Sequence, residues 1–177
     1  FLHNRLTPST TLPTKTPHKQ SPPSFTGTIL NTPELNQRYT LSTVDKTDRD
    51  IDFHDIQTFM THNVSSHYAI FKYFNQFTKQ AIDNKDSLVI KVTDQNANKA
   101  LVGWGTLVPT HLKSEAYIAN LGISRDHQNQ GLSHSIREHL IDFAKKHHYQ
   151  TIIDQVPQNN QKQIQDYQKQ GFKIVGI

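Results

Sequence analysis

The sequence predicts an α+β domain: a three-layer αβα arrangement with a mixed, mostly antiparallel central sheet. Three observations carry this. The order of apolar segments reads strand, two helices, three strands, helix, strand, helix, strand. The early strands follow one another through short turns, while the later ones are separated by helical segments, which joins an antiparallel half to a part with parallel pairing. Between residues 117 and 148 an apolar run (AYIANLGIS) passes through a polar turn (RDHQNQGLS) into a segment with Leu132, Ile136, Leu140 and Phe143 on one helical face.

Residues 1–33 contain Pro8, Pro13, Pro17, Pro22, Pro23 and Pro33, six of the eight prolines, mixed with Thr and Ser and without periodicity. They are expected to form a disordered arm or linker, leaving residues 34–177 as the folded domain. Residues 39–44 alternate as a first strand, and residues 45–50 form a charged turn that can cap a helix. Ile51, Phe53, Ile56, Phe59 and Met60 have roughly helical spacing, and a second helical stretch carries Tyr68, Ile70, Phe71, Phe74 and Phe77. Its aromatics are expected mainly in the core, with some free to line an acceptor pocket. Residues 87–92 and 100–108 form a hairpin around the turn 94–99. Gly103 and Gly105 flank Trp104 and point to a bulge or a close approach by another backbone or a ligand. Pro109 ends this strand. Residues 117–124 form the next strand and residues 151–156 a short buried one. Residues 159–170 form a polar helix with Ile164 and Tyr167 on one face, ended by Gly171, and residues 172–177 form a last strand.

The 177 residues suffice for one domain with a core. With 34% apolar residues and a mean hydropathy of −0.67, that core is lean. No apolar run approaches the roughly 20 residues that span a bilayer, and the N-terminal stretch lacks the apolar segment of a secretory signal. The absence of cysteine excludes disulfides, thiolate zinc sites and cysteine nucleophiles. The net charge of +4 sits mostly in residues 1–30, where Arg5, Lys15 and Lys19 meet no acid; the rest holds 16 bases against 15 acids. A nucleic-acid-binding domain would show a basic stripe on its folded elements, and none is visible. The expected compartment is the cytoplasm.

A strand that runs through a polar turn into a helix leaves the first helical N–H groups without helical partners, and the helix dipole adds positive potential there. The turn containing Gly131 is therefore suited to a phosphate or pyrophosphate.

Two motifs then resemble the GNAT superfamily of acyl-CoA-dependent N-acetyltransferases. The family's pyrophosphate loop, Gln/Arg-x-x-Gly-x-Gly/Ala, is matched by Gln128, Asn129, Gln130, Gly131, Leu132 and Ser133, with Ser133 in place of the last Gly or Ala and Arg125 where proline is common. Some 30 residues on, Asn160, Tyr167, Gly171 and Phe172 match a second pattern of the family. The resemblance covers roughly residues 39–177. It implies a GNAT-like fold and transfer of an acetyl group from acetyl-CoA (coenzyme A as the cofactor) to a primary amine on a small molecule or peptide. It implies that the main chain of Leu121, Gly122 and Ile123 pairs with the pantetheine arm where the sheet splays. The amides from Gln128 to Ser133 would hold the pyrophosphate, and Asn160 would contact the pantetheine or order the loop. Tyr167 would be the general acid, against the plainer reading that it packs on the sheet beside Ile164.

The general base stays open: Glu115 lies just outside the strand 117–124, Asp154 reads better as a hydrogen-bonded structural acid, and His111 and His127 lie nearest the proposed site. His147 and His148 suit the negative end of their helix, and no metal site is expected. The family has one more strand after residues 172–177, so the sheet is expected either to be shortened or to be completed by a partner chain, as in a homodimer. No membrane or nucleic-acid partner is expected. A non-catalytic acyl-CoA-binding regulatory domain of the same fold is the alternative reading.

Overall fold

The computed structural model describes residues 3–8, 30, 37–44 and 78–176, with residues 3–8 described by their backbone. The elements are β1 (His3–Pro8), β2 (Tyr39–Thr43), β3 (Leu88–Asp94), β4 (Ala100–Pro109), β5 (Glu115–Ile123), α1 (Leu132–Lys146), β6 (Thr151–Pro157), α2 (Gln161–Lys169) and β7 (Phe172–Gly176). Residues 78–83 are also helical. The helices expected over residues 51–60 and 68–77 fall outside the described residues. The seven strands form one sheet in the order β2-β3-β4-β5-β6-β1-β7, antiparallel at every pair except β5–β6.

The sheet separates two apolar clusters, which is what makes three layers. On one face Leu41, Ile90, Val92, Leu107 and Ile118 pack beneath Leu132, Ile136 and Leu140 of α1 and Ile164 and Tyr167 of α2. On the other, Val44, Val89 and Trp104 pack with Ala81 and Ile82 of the helical residues 78–83. Strand alternation produces this division: Ile90 and Val92 of β3 face α1, and Val89, next to Ile90, faces away. The β3–β4 turn is closed by Asp94, whose Oδ1 accepts from the Asn96 N–H at 2.9 Å.

Gly103 and Gly105 sit where other atoms press on the backbone. A Cβ on Gly105 would lie 2.3 Å from Cγ2 of Ile136, and one on Gly103 would lie 2.5 Å from Cδ1 of Ile123. The register shifts between Val92 and Thr93 and leaves Val102 as the extra residue of a bulge. Both features expected of this glycine pair are present, and the approaching groups are those of α1 and β5. Helix α2 begins at Gln161, two residues later than expected, where Asn160 Oδ1 accepts from the Gln163 N–H at 3.2 Å, and it stops before Gly171 as expected, whose φ is +87°.

The structure departs from expectation in three places. Residues 3–8, placed by sequence in a disordered arm, form β1, which pairs with β6 and β7 on either side. The segment HNRLTP has no strand periodicity of its own, so two strand edges remote in sequence impose the extended form. The place expected to be left short or filled by a partner chain is thereby occupied by the same chain. Glu115 lies inside β5 rather than beside it, and is buried with its Oε1 accepting from Thr110 Oγ1 at 3.1 Å.

Gly105→Ala is expected to lower stability by about 1–3 kcal/mol, the usual cost of overpacking a core. Chemical denaturation would measure it, and an unchanged midpoint would show that Ile136 moves aside freely.

Candidate functional site

Strands β5 and β6 stay paired only briefly. Glu115, Ala116 and Tyr117 lie opposite Thr151, Ile152 and Ile153, and the ladder then stops. Beyond it β5 runs on to Ile123 paired with β4 alone, while β6 continues from Asp154 paired with β1. A bulge at Ala119, the extra residue between Ile118 and Asn120 in the β4–β5 register, bends β5 where the two strands part. The result is a V-shaped opening with the main chain of β5 along one wall.

The β5–α1 connection closes one end of this opening. A single 3-10 turn at Arg125–His127 leads into Gln128, Asn129 takes φ +61°, and Gly131 takes φ +78° at the N-cap of α1. Nothing lies within 4 Å of a Cβ built on Gly131, so the backbone angle rather than crowding selects glycine here. Gly131 has no side chain to cap the helix, and the first N–H groups of α1 therefore remain available to a ligand. The loop is anchored on its far side. Tyr39 Oη donates to Gln130 Oε1 at 2.8 Å and lies 3.0 Å from His127 Nδ1. Asp94 accepts from Arg38 Nε and Nη2 at 3.0 and 2.7 Å, and these bonds hold its carboxyl below the usual carboxylate range. His127 Nδ1 is 3.8 Å from the same carboxylate.

A cleft of about 640 Å³ follows from this arrangement. Of the residues expected from sequence, Leu121, Ile123, Gln128, Asn129, Gly131, Leu132, Ser133 and Asn160 line it. Three do not. A Cβ on Gly122 would meet the Trp104 ring at 2.7 Å, Gln130 is turned to Tyr39, and Tyr167 lies behind the wall, fully buried. Of the two histidines named from sequence, His127 lines the cleft and His111 is exposed elsewhere.

The structure adds residues the sequence reading passed over, chiefly Arg137, Lys162 and Lys169. Lys162 Nζ donates to Asn129 Oδ1, tying α2 to the loop, while Lys169 lies 3.7 Å from Asp166. The sequence signal was spacing: Arg137 stands four residues after Ser133 on α1, and Lys162, Asp166 and Lys169 share one face of α2. Three cations against one acid give the cleft a positive bias that suits a phosphate-bearing ligand.

Behind the wall Tyr167 donates its hydroxyl hydrogen to Asp154 Oδ2. The Arg137 guanidinium stands 4.5 Å over the Tyr167 ring, its Nε donates to Gln170 Oε1, and the Phe172 ring meets the other ring edge-on at 4.9 Å. Burial pushes the Asp154 carboxyl up to about 7, against the opposing effects of the Tyr167 hydrogen bond, the Gln155 N–H and the Arg137 charge. Burial and then the Asp154 charge push the Tyr167 phenol well above its ordinary value. The cleft can hold an anion at its loop end and an extended chain along β5, while the buried pair beside it holds protons near neutral pH. Among the described residues no cluster of three or more His, Asp or Glu side chains is arranged for a metal ion, and no helix is long and apolar enough to cross a membrane.

Residues 51–172 match the acetyltransferase (GNAT) family. No curated relative matches the chain in sequence. Among solved structures the chain is similar to the ribosomal-protein-S18-alanine N-acetyltransferase of Escherichia coli, at 20% identity and TM-score 0.56 over 75% of this chain and 76% of that one. It is similar to a GNAT family acetyltransferase of Elizabethkingia anophelis with acetyl-CoA bound, at 18% identity and TM-score 0.55 over 79% of each chain. It is also similar to the spermidine N-acetyltransferase of Vibrio cholerae, a dodecameric structure, at 20% identity and TM-score 0.57 over 80% of this chain and 82% of that one. At these identities the likeness is one of fold.

The Asp154 carboxyl has a direct consequence for stability. Its folded pKa of about 7 lies above the ordinary carboxylate value. Folding is therefore favoured while the group is protonated in both states, and stability is lost as pH rises from about 4 through 7. Asp154→Asn, which keeps an oxygen for the Tyr167 hydroxyl, is expected to remove most of that loss. Denaturation at pH 5 and pH 8 should show the variant gaining up to a few kcal/mol over the parent at the higher pH. An equal difference at both pH values would contradict a buried, neutral Asp154.

Proposed function

The chain belongs to the acetyltransferase (GNAT) family, and from that premise we propose that it transfers an acetyl group from acetyl-CoA to a primary amine by direct attack. The observation that carries this reading is the convergence of the free β5 edge and the α1 N-terminus on one positively biased cleft.

Acetyl-CoA supplies an activated thioester carbonyl. The chain's own residues then have three tasks. The main chain of Leu121, Gly122 and Ile123 offers a strand edge for the pantetheine arm. The amides of Gln128 to Ser133, with Lys162 and Lys169 nearby, take the pyrophosphate. Asn160 caps α2 at the cleft wall, which supports its role in ordering the loop or meeting the arm. As the new C–N bond forms and the C–S bond breaks, the amine releases a proton and the leaving thiolate takes one. Tyr167 Oη is the proposed donor: burial keeps the phenol protonated at neutral pH, so the proton is there to give. Asp154, bonded to the same hydroxyl and titrating near 7, is suited to replenish that proton. The acceptor class proposed is a small-molecule or peptide amine. The compartment proposed is the cytoplasm, in keeping with a chain that has no disulfide to call for an oxidising one.

One observation favours the second reading, a non-catalytic acyl-CoA-binding regulatory domain: Tyr167 is fully buried with its hydroxyl already engaged by Asp154.

Tyr167→Phe separates the two. For an enzyme it should lower kcat by roughly 10²-fold or more, the usual contribution of a positioned acid, while calorimetry finds CoA affinity unchanged. Tight CoA binding by the parent with no turnover over a panel of amines would support the regulatory reading instead. Lys162→Ala and Lys169→Ala are each expected to weaken CoA binding several-fold at low salt and to flatten its salt dependence. Affinity unaltered at every ionic strength would place the phosphates elsewhere.

A further inference from the structure

The position of β1 has consequences for the cleft. Strand β6 is shared between two neighbours: Thr151, Ile152 and Ile153 pair with β5, and Asp154, Gln155, Val156 and Pro157 pair with Leu6, Arg5, Asn4 and His3 of β1. The half of β6 that forms the second wall of the V thus has β1 as its strand partner. Strand β7 stands at the sheet edge and pairs with β1 alone, Pro8 lying opposite Phe172 and Leu6 opposite Ile174. Because β1 is antiparallel to both, β6 and β7 run in the same direction with one strand position between them. Neighbouring strands lie about 4.8 Å apart, so β6 and β7 are separated by roughly twice that distance and cannot hydrogen-bond each other. A slot left open there would strand the backbone polar groups of two edges.

The segment that fills the slot is weakly tied to it through the chain. Thirty residues separate Pro8 from Tyr39, a length that spans up to roughly 100 Å when extended. The connection therefore does not dictate where residues 3–8 lie; the two facing ladders do.

We infer that the gap between β6 and β7 is a binding slot for one extended peptide strand, that its occupant is the chain's own segment His3–Pro8, and that occupancy fixes the half of β6 that carries Asp154. The ligand class is an unstructured peptide added in antiparallel register to both edges. This does not rest on the acetyl-transfer reading, since the slot is defined by strand pairing alone.

The test uses the full chain with a protease site introduced between residues 17 and 23, folded first and then cut. Hydrogen exchange is followed at those amides of residues 172–176 in β7 and 154–156 in β6 that are protected in the uncut chain, alternate residues facing β1, with β3 and β4 as internal reference. Cutting alone should leave protection unchanged, because the fragment stays in its slot. Removing the fragment by gel filtration in mild denaturant, then returning to buffer, should accelerate exchange at these amides at least tenfold while β3 and β4 stay protected. Adding a synthetic peptide of residues 1–8 should restore the protection. Protection that survives removal of the fragment, or that the peptide fails to restore, overturns the inference. Leu6→Pro in the uncut chain, which removes an N–H from the shared strand, should raise exchange at the same amides; unaltered exchange there counts equally against it. No step needs acetyl-CoA or turnover, so failure here and failure of the acetyl-transfer reading are distinguishable.

Discussion

Strands β5 and β6 separate after Tyr117 and Ile153, and the rest of the molecule is arranged around that break. A parallel pair that loses its partner in mid-sheet exposes a run of main-chain N–H and C=O groups, which demand partners if they are to be covered. The bulge at Ala119 turns β5 away, and β6 is taken over by β1, so the opening has two supported walls. Helix α1 then starts at the mouth of the same opening. Its position is set by contact: Ile136 lies over Gly105 at a distance that leaves no room for a Cβ, and Leu132 and Leu140 are buried on either side. The glycine in mid-sheet is thus the reason the helix N-terminus can lie close enough to the strand edge for both to serve one ligand.

The electrostatics divide into two layers. Along the cleft, backbone amides, the exposed cations Lys162 and Lys169 and the buried Arg137 make a region suited to phosphate. Behind it, burial keeps Asp154 and Tyr167 protonated at higher pH than in water. Arg137 belongs to both layers, since it lines the cleft and covers the Tyr167 ring. On the opposite side the bonds among Arg38, Asp94, Tyr39 and Gln130 brace the loop from β2 and β3, so the anion-binding turn does not depend on α1 alone for its shape.

Features determined by neighbours in the chain were legible from sequence. The alternation in residues 39–44, the β-branched run in residues 87–92, the four-four-three spacing of α1 and the Gly171 stop all rest on interactions within a few residues, and each element formed where expected. Features determined by distant partners were not. The segment HNRLTP lacks a strand pattern because two remote edges, rather than its own side-chain order, make it a strand. Arg137, Lys162 and Lys169 read as ordinary surface cations until the packing of α1 against α2 gathers them. Tyr167 was named from a motif and, by helical spacing, as a packing residue. The structure gives it the burial of the second reading and an acidic partner, Asp154, that its own neighbourhood in sequence could not reveal.

The central claim is that the parted strands and the α1 N-terminus form one coenzyme A site. A crystal structure of the chain with CoA tests it most directly. The expected result is main-chain pairing of the pantetheine arm with Leu121 to Ile123 and the pyrophosphate on the amides between Gln128 and Ser133. CoA bound outside the V, with the β5 edge and the Gly131 turn free of it, would contradict the account.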